Sequence, residues 1–124
     1  MATVQPTVTN VSDDVVTFSW NLTTANVDGA PVGAQHANFA DRAFSATGTW
    51  GTATLQWQGS NDGTNWFMLN DPFGVDLTLS ANGMFAVAEL PLYMRPMLTV
   101  AGSGATITVI MVGRKQRSGR AIGG

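Results

Sequence analysis

A Ser-His-Asp triad or a zinc site in this 124-residue chain would have to turn on His36, its single histidine. A Ser-His-Asp arrangement needs an imidazole beside a serine and oriented by a carboxylate. Asp41 could serve as the orienting group, yet no Gly-x-Ser-x-Gly elbow or comparable nucleophile context occurs. The chain has no cysteine, so zinc would have to use His36 with carboxylates alone. Asp13, Asp14, Asp62, Asp71 and Asp76 supply oxygens for calcium or for a glycosidase pair. Calcium, however, takes about six to eight oxygens, and no Asp-x-Asp-x-Asp-Gly run is present. Asn61, Asp62 and Asn65 read better as turn formers. Gly102-Ser103-Gly104 is a turn without the lysine of a phosphate-binding loop. The expectation is a chain with no catalytic residue, no metal and no cofactor.

Aromatic residues offer a second kind of chemistry. Trp50, Trp57, Trp66, Phe67, Phe73 and Tyr93 are the material for a platform on which a sugar or a single-stranded base could stack. Trp57 shares a face with Leu55 and belongs to the core. Trp50 and Trp66 flank the ends of a hairpin and are the candidates for ligand stacking. Charge argues against nucleic acid as the partner of the body: residues 1–113 hold eight acids against Arg42 and Arg95, a net −6 that repels phosphates. The last eleven residues hold Arg114, Lys115, Arg117 and Arg120 with no acid, a net +4. That tail reads as a solubilising terminus, as an arm that docks on an acidic neighbour, or as a contact to packaged DNA.

The elements that must position these groups are strands. In Thr52–Gln58, Ala53, Leu55 and Trp57 alternate with Thr52, Thr54, Gln56 and Gln58, the period of a half-buried strand. Gly59–Asn65 is turn-rich, with Asp62-Gly63 suited to a tight connection, so a β-hairpin leads into Trp66–Leu69. Val15–Leu22 and Ala105–Val112 alternate in the same way, the latter becoming apolar on both faces in its second half. Shorter strands are expected around Val4, Val8 and Val11 (interrupted at Pro6), at Arg42–Ala46, Val75–Leu79, Met84–Leu90 and Leu92–Val100. The last is expected to break or bend at Pro96, with Arg95-Pro96 on an edge or at a bulge. Thr23–Asp41 reads as a long irregular segment with a short helix over Ala34–Ala40. Turns recur every 8–12 residues, which argues for an all-β chain: an antiparallel sandwich or jelly roll.

Residues 1–113 are therefore expected to form one β-sandwich domain, with 1–14 as a candidate N-terminal arm and 114–124 as a flexible basic tail. Only 11% of residues are charged, against about 25% in ordinary soluble domains. Surface hidden in an assembly is one way to carry so little charge; a hydrated Thr/Asn/Ser surface is the other. No apolar run approaches the ~20 residues of a membrane span. The N-terminus MATVQPTVTN lacks the regions of a signal peptide, so cytoplasmic synthesis is expected.

The Gly-Thr-Trp-Gly start at Gly48, the hairpin LQWQGSNDGTNW and the strand Pro-Leu-Tyr-Met-Arg-Pro resemble small β-sandwich proteins of tailed-bacteriophage particles. The likeness spans Gly48–Gly113. It implies a virion structural protein, a capsid decoration or cement protein that binds the outer shell and bridges subunits of the major capsid protein. It also implies a homo-oligomer, a trimer by resemblance. The interface would draw on the tail cations Arg114, Lys115, Arg117 and Arg120, on Val4 and Val8 near the N-terminus, and on Pro31 and His36 in the long loop. The SNDGTNW turn is also similar to hairpins of discoidin-like sugar-binding sandwiches. A carbohydrate-binding module, or a head-fibre or tail component, is the alternative.

Overall fold

Alternation of apolar and polar residues folds the chain into two antiparallel sheets packed face to face. The computed structural model describes residues 3–33, 36, 38–89 and 91–115. Nine strands follow in order: β1 (Thr7–Ser12), β2 (Val15–Thr23), β3 (Asp41–Thr49), β4 (Thr54–Ser60), β5 (Phe67–Met68), β6 (Thr78–Leu79), β7 (Gly83–Ala86), β8 (Tyr93–Val100) and β9 (Thr106–Arg114). One sheet has the order β1-β2-β9-β3-β7. In the other, β4 is central, with β8 along one side and β5 and β6 along the opposite side.

The inward positions are those set by the period of two. Val16, Phe18, Trp20 and Leu22 on β2 meet Ile107, Val109 and Met111 on β9 and Leu55 and Trp57 on β4, all of them buried. The Trp20 and Trp57 rings meet edge to face at 5.6 Å, and Phe44 stacks on Trp57 at 4.8 Å. Aromatic pairs in these geometries add to the free energy of area burial. Trp20 donates from Nε1 to the carbonyl of Ala30 at 3.0 Å, whereas the buried Nε1 of Trp57 has no partner among the described residues.

Edges decide where the two sides of the molecule differ. Residues 27–32 run outside β8, bridging Asp28 to Met97 and Val32 to Met94, and Val4 pairs alongside Gly29. This is the β1/β8 edge. Gly29 is needed there, because a Cβ would lie 2.6 Å from the Pro96 ring. At the opposite edge, β7 closes one sheet and β5 and β6 close the other.

Several expected elements are trimmed. The strand at Met84–Leu90 stops at Ala86, after which Ala88 donates to the carbonyl of Asn70 instead. Val75–Leu79 contributes only Thr78–Leu79, and Trp66–Leu69 only Phe67–Met68. β8 runs unbroken through Pro96, which pairs with Trp57, and it is the outer strand of its sheet, the edge placement expected for Arg95-Pro96; the register slips instead where Leu98 and Val100 face Leu55 and Thr54. Residues 7–12 of the candidate arm are an edge strand paired to β2. The boundary drawn at residue 113 falls inside β9, which continues to Arg114. Of the helix expected over Ala34–Ala40, the described part is a tight turn in which Phe39 donates to the His36 carbonyl.

Candidate functional site

Three features of the surface have the shape or chemistry to receive a partner. The largest is an open cup of about 610 Å³ at the end of the β4–β5 hairpin, lined by Asn61, Asp62, Asn65, Phe67, Glu89 and Pro91 over a floor of Gly59. Gly59 makes the floor possible, since a Cβ would lie 2.4 Å from the Pro91 ring. Asp62 organises the hairpin turn. Its Oδ1 accepts from the backbone N–H groups of Thr64 and Asn65, each at 2.8 Å, and from the Ser60 hydroxyl at 2.9 Å; Oδ2 accepts from Asn65 Nδ2 at 2.7 Å. Those donors, led by the backbone N–H of Asn65, hold its carboxyl well below the usual carboxylate range. Asp62 is thus committed to the turn. Glu89 accepts from the backbone N–H of Asn70 at 2.7 Å through one oxygen, and Phe67 offers a ring that is 70% exposed.

The second feature is a cavity of about 280 Å³ at the β1/β8 edge. Val8, Phe18, Pro31, Val32, His36 and Tyr93 form its walls. Three of the residues singled out in the sequence, Val8, Pro31 and His36, therefore come together from a strand and a distant loop. His36 is half-buried, its ring edge-on to Phe18 at 4.9 Å. Gly33 also lines the cavity. Behind it lies Arg42, whose Nη1 is 3.3 Å from where a Gly33 Cβ would stand. Arg42 is only 4% exposed; it donates from Nε to the Phe39 carbonyl at 2.9 Å and from Nη2 to the His36 carbonyl at 3.1 Å. Nη1 has no hydrogen-bond partner among the described residues, and burial pushes the arginine pKa down.

The third feature is the loop Asn70–Asp76, which raises Phe73 91% exposed at its tip. Asp71 Oδ1 accepts from the backbone N–H groups of Phe73 at 2.8 Å and Val75 at 2.9 Å. Gly74 takes positive φ, +81°, and its N–H closes onto the Asp71 carbonyl at 3.0 Å. Asn70 Nδ2 donates to Asp76 Oδ1 at 2.9 Å. A loop braced this way holds its tip in one place.

The remaining candidates lie elsewhere. Arg114 is exposed at the end of β9. Lys115 lies 4.0 Å from Asp14 and 5.4 Å from the Phe39 ring. Arg117 and Arg120 lie outside the described residues. Val4 is taken up in its bridge to Gly29. Trp50 is half-buried and donates to Asn82 Oδ1 at 2.8 Å. Trp66 is half-buried, with the Arg95 guanidinium 4.0 Å over its ring. Arg95 in turn donates to Gln58 and Gln58 to Gln56, a polar ladder across the outer face of β8 and β4. The freely exposed rings are Phe67 and Phe73. Phe73 was legible in the sequence: an aromatic in Asp71-Pro72-Phe73-Gly74 sits in a turn, with no strand to carry it inward. Arg42 was legible too, for it shares strand parity with Phe44 and Ala46 and so points into the sandwich.

Among the described residues, no group of three or more His, Cys, Asp and Glu could hold a metal ion, and no helix is long and apolar enough to cross a membrane. No protein-family model matches the sequence, and no curated protein matches it. Two solved structures align with most of the chain. A Neisseria meningitidis protein matches with a TM-score of 0.44 at 13% identity, over 92% of this chain and 86% of its own. A cupin domain from Bordetella pertussis matches with a TM-score of 0.46 at 10% identity, over 92% of this chain and 95% of its own. By its own two antiparallel sheets the chain is a β-sandwich. These likenesses concern the fold and carry no activity across.

Proposed function

We propose that this chain is a non-enzymatic structural protein of a tailed-phage virion, a decoration protein that binds the outer capsid as a homo-oligomer and bridges subunits of the major capsid protein. One observation carries the reading. With the core closed, large apolar side chains remain outside on both sheets and at a loop tip: Met84 at 73% exposure, Ile110, Phe67 and Phe73. Met84 and Ile110 flank Ser45 across β7, β3 and β9, a contiguous apolar patch of the kind that suits contact with another protein. Covering it releases about 25 cal/mol per Å² before the costs of association, and symmetric placement multiplies weak contacts. The resemblance over Gly48–Gly113 supports the shell as the partner. Arg114 and Lys115, with the further tail cations Arg117 and Arg120, suit an acidic neighbour. On this reading the chain is made in the cytoplasm and resides on the virion surface, with neither membrane nor nucleic acid as a partner.

The test is co-sedimentation of the purified chain with shells stripped of it. Saturable pelleting, weakened by Met84→Glu with Ile110→Glu and by removal of residues 116–124, is the expected result. A chain left in the supernatant at every ratio rejects the reading.

The cup favours a second reading, carbohydrate binding. An exposed ring beside Glu89 and two asparagine amides is the kind of surface that grips a sugar by stacking and by hydroxyl hydrogen bonds. Glycan-array binding abolished by Phe67→Ala, and indifferent to Trp50→Ala, would favour it over the shell.

A further inference from the structure

The knob at Phe73 and the cavity at Val8, Pro31 and His36 stand on opposite edges of the sandwich. The cavity opens where β1 and β8 border the two sheets. The Phe73 loop connects β5 to β6, on the far side of β4 from β8, and it is tied by Asn70 to residues 88 and 89 beyond β7. We propose that Phe73 of one copy seats in the cavity of the next, joining copies head to tail.

Size, charge and rigidity all point to a second copy as the occupant. A cavity of roughly 150 Å³ is enough to hold a benzene ring, and this one measures about 280 Å³, walled by Val8, Phe18, Pro31 and Val32. Residues 43–94 carry four acids, Asp62, Asp71, Asp76 and Glu89, and no cation. Two of those acids sit in the knob loop itself. The receiving edge holds the buried Arg42 guanidinium, which has no carboxylate partner among the described residues, and Arg95 beside Asp28. An acidic knob entering a cavity backed by an unpaired cation gains both apolar burial and charge complementarity. The braced loop also has little conformational entropy left to lose on docking. Such a contact uses two different patches, so repetition closes it into a ring when the rotation per copy allows.

The inference rests on the reading of the chain as a self-assembling module. It is tested on the isolated chain, so its failure leaves shell attachment to be judged by its own experiment. Sedimentation equilibrium of the full chain is expected to show a discrete oligomer. Phe73→Ala removes the knob, leaves the cavity intact and touches no core contact; Val8→Trp fills the cavity and leaves the knob. Each variant alone is expected to be monomeric, with self-association weakened at least ~30-fold, as loss of a buried aromatic anchor gives. An equal mixture keeps one intact knob and one intact cavity, so it is expected to form a dimer and go no further. Circular dichroism identical to the parent shows that both variants fold; Pro31→Trp replaces Val8→Trp if that one does not. A monomeric parent, an oligomeric Phe73→Ala variant, or a mixture that stays monomeric would each overturn the proposal.

Discussion

Trp57 and Phe73 are two aromatic residues in opposite circumstances. Trp57 is fully buried, stacked on Phe44 and met by Trp20, and it leaves an indole N–H without a partner among the described residues. Phe73 touches almost nothing, yet every turn of the backbone beneath it is hydrogen-bonded. At the centre, packing tolerates an unsatisfied polar atom because the apolar gain exceeds its cost. At the edge, polar braces hold an apolar ring in water with no gain to the fold. The first arrangement stabilises the chain; the second makes sense for a partner.

Truncation breaks the comparison most directly. Trp57→Ala is expected to cost about 3–5 kcal/mol in urea-unfolding free energy, whereas Phe73→Ala is expected to stay within about 0.5 kcal/mol of the parent. Comparable losses at both sites would erase the distinction. Within the core, the two buried indoles differ by one hydrogen bond. Trp20→Phe strands the Ala30 carbonyl, while Trp57→Phe removes an N–H that is already unpaired. The former is expected to cost about 1–2 kcal/mol more, read from urea midpoints at equal slope.

Parity explains how much of this was legible in the sequence. The alternation in Val15–Leu22, Thr52–Gln58 and Ala105–Val112 places every inward residue correctly, because a strand offers each side chain only two directions. It could not place Trp66 against Phe67. The Trp66 ring is covered by Arg95, which arrives from β8, a contact between residues far apart in the chain. The cavity at the β1/β8 edge was hidden for the same reason, since Val8, His36 and Tyr93 meet only through topology. Strand lengths at the edges were overestimated where loop hydrogen bonds, such as Ala88 to Asn70, compete with the ladder.

Smaller effects sharpen the contrast between braced turns and packed core. The Asp62 carboxyl titrates lower in the folded chain than in the unfolded one, so its contribution is present above the unfolded carboxylate pKa of about 4 and is lost as pH falls below it. Asp62→Asn is expected to flatten the fall of the thermal midpoint below about pH 4; an unchanged acid slope would mean that the turn contributes nothing. Gly63 sits at φ +77° with its Cβ position 3.5 Å from the Tyr93 ring, so space is adequate and only the backbone resists. Gly63→Ala is expected to cost about 1 kcal/mol.

The proposed role of this surface is to hold a virion together. Under the proposed virion role, quantitative mass spectrometry of purified phage particles gives the copy number of this chain against the major shell protein. A number comparable to that protein is the predicted result. Absence from the particles would contradict the account and return the question to the Phe67 cup.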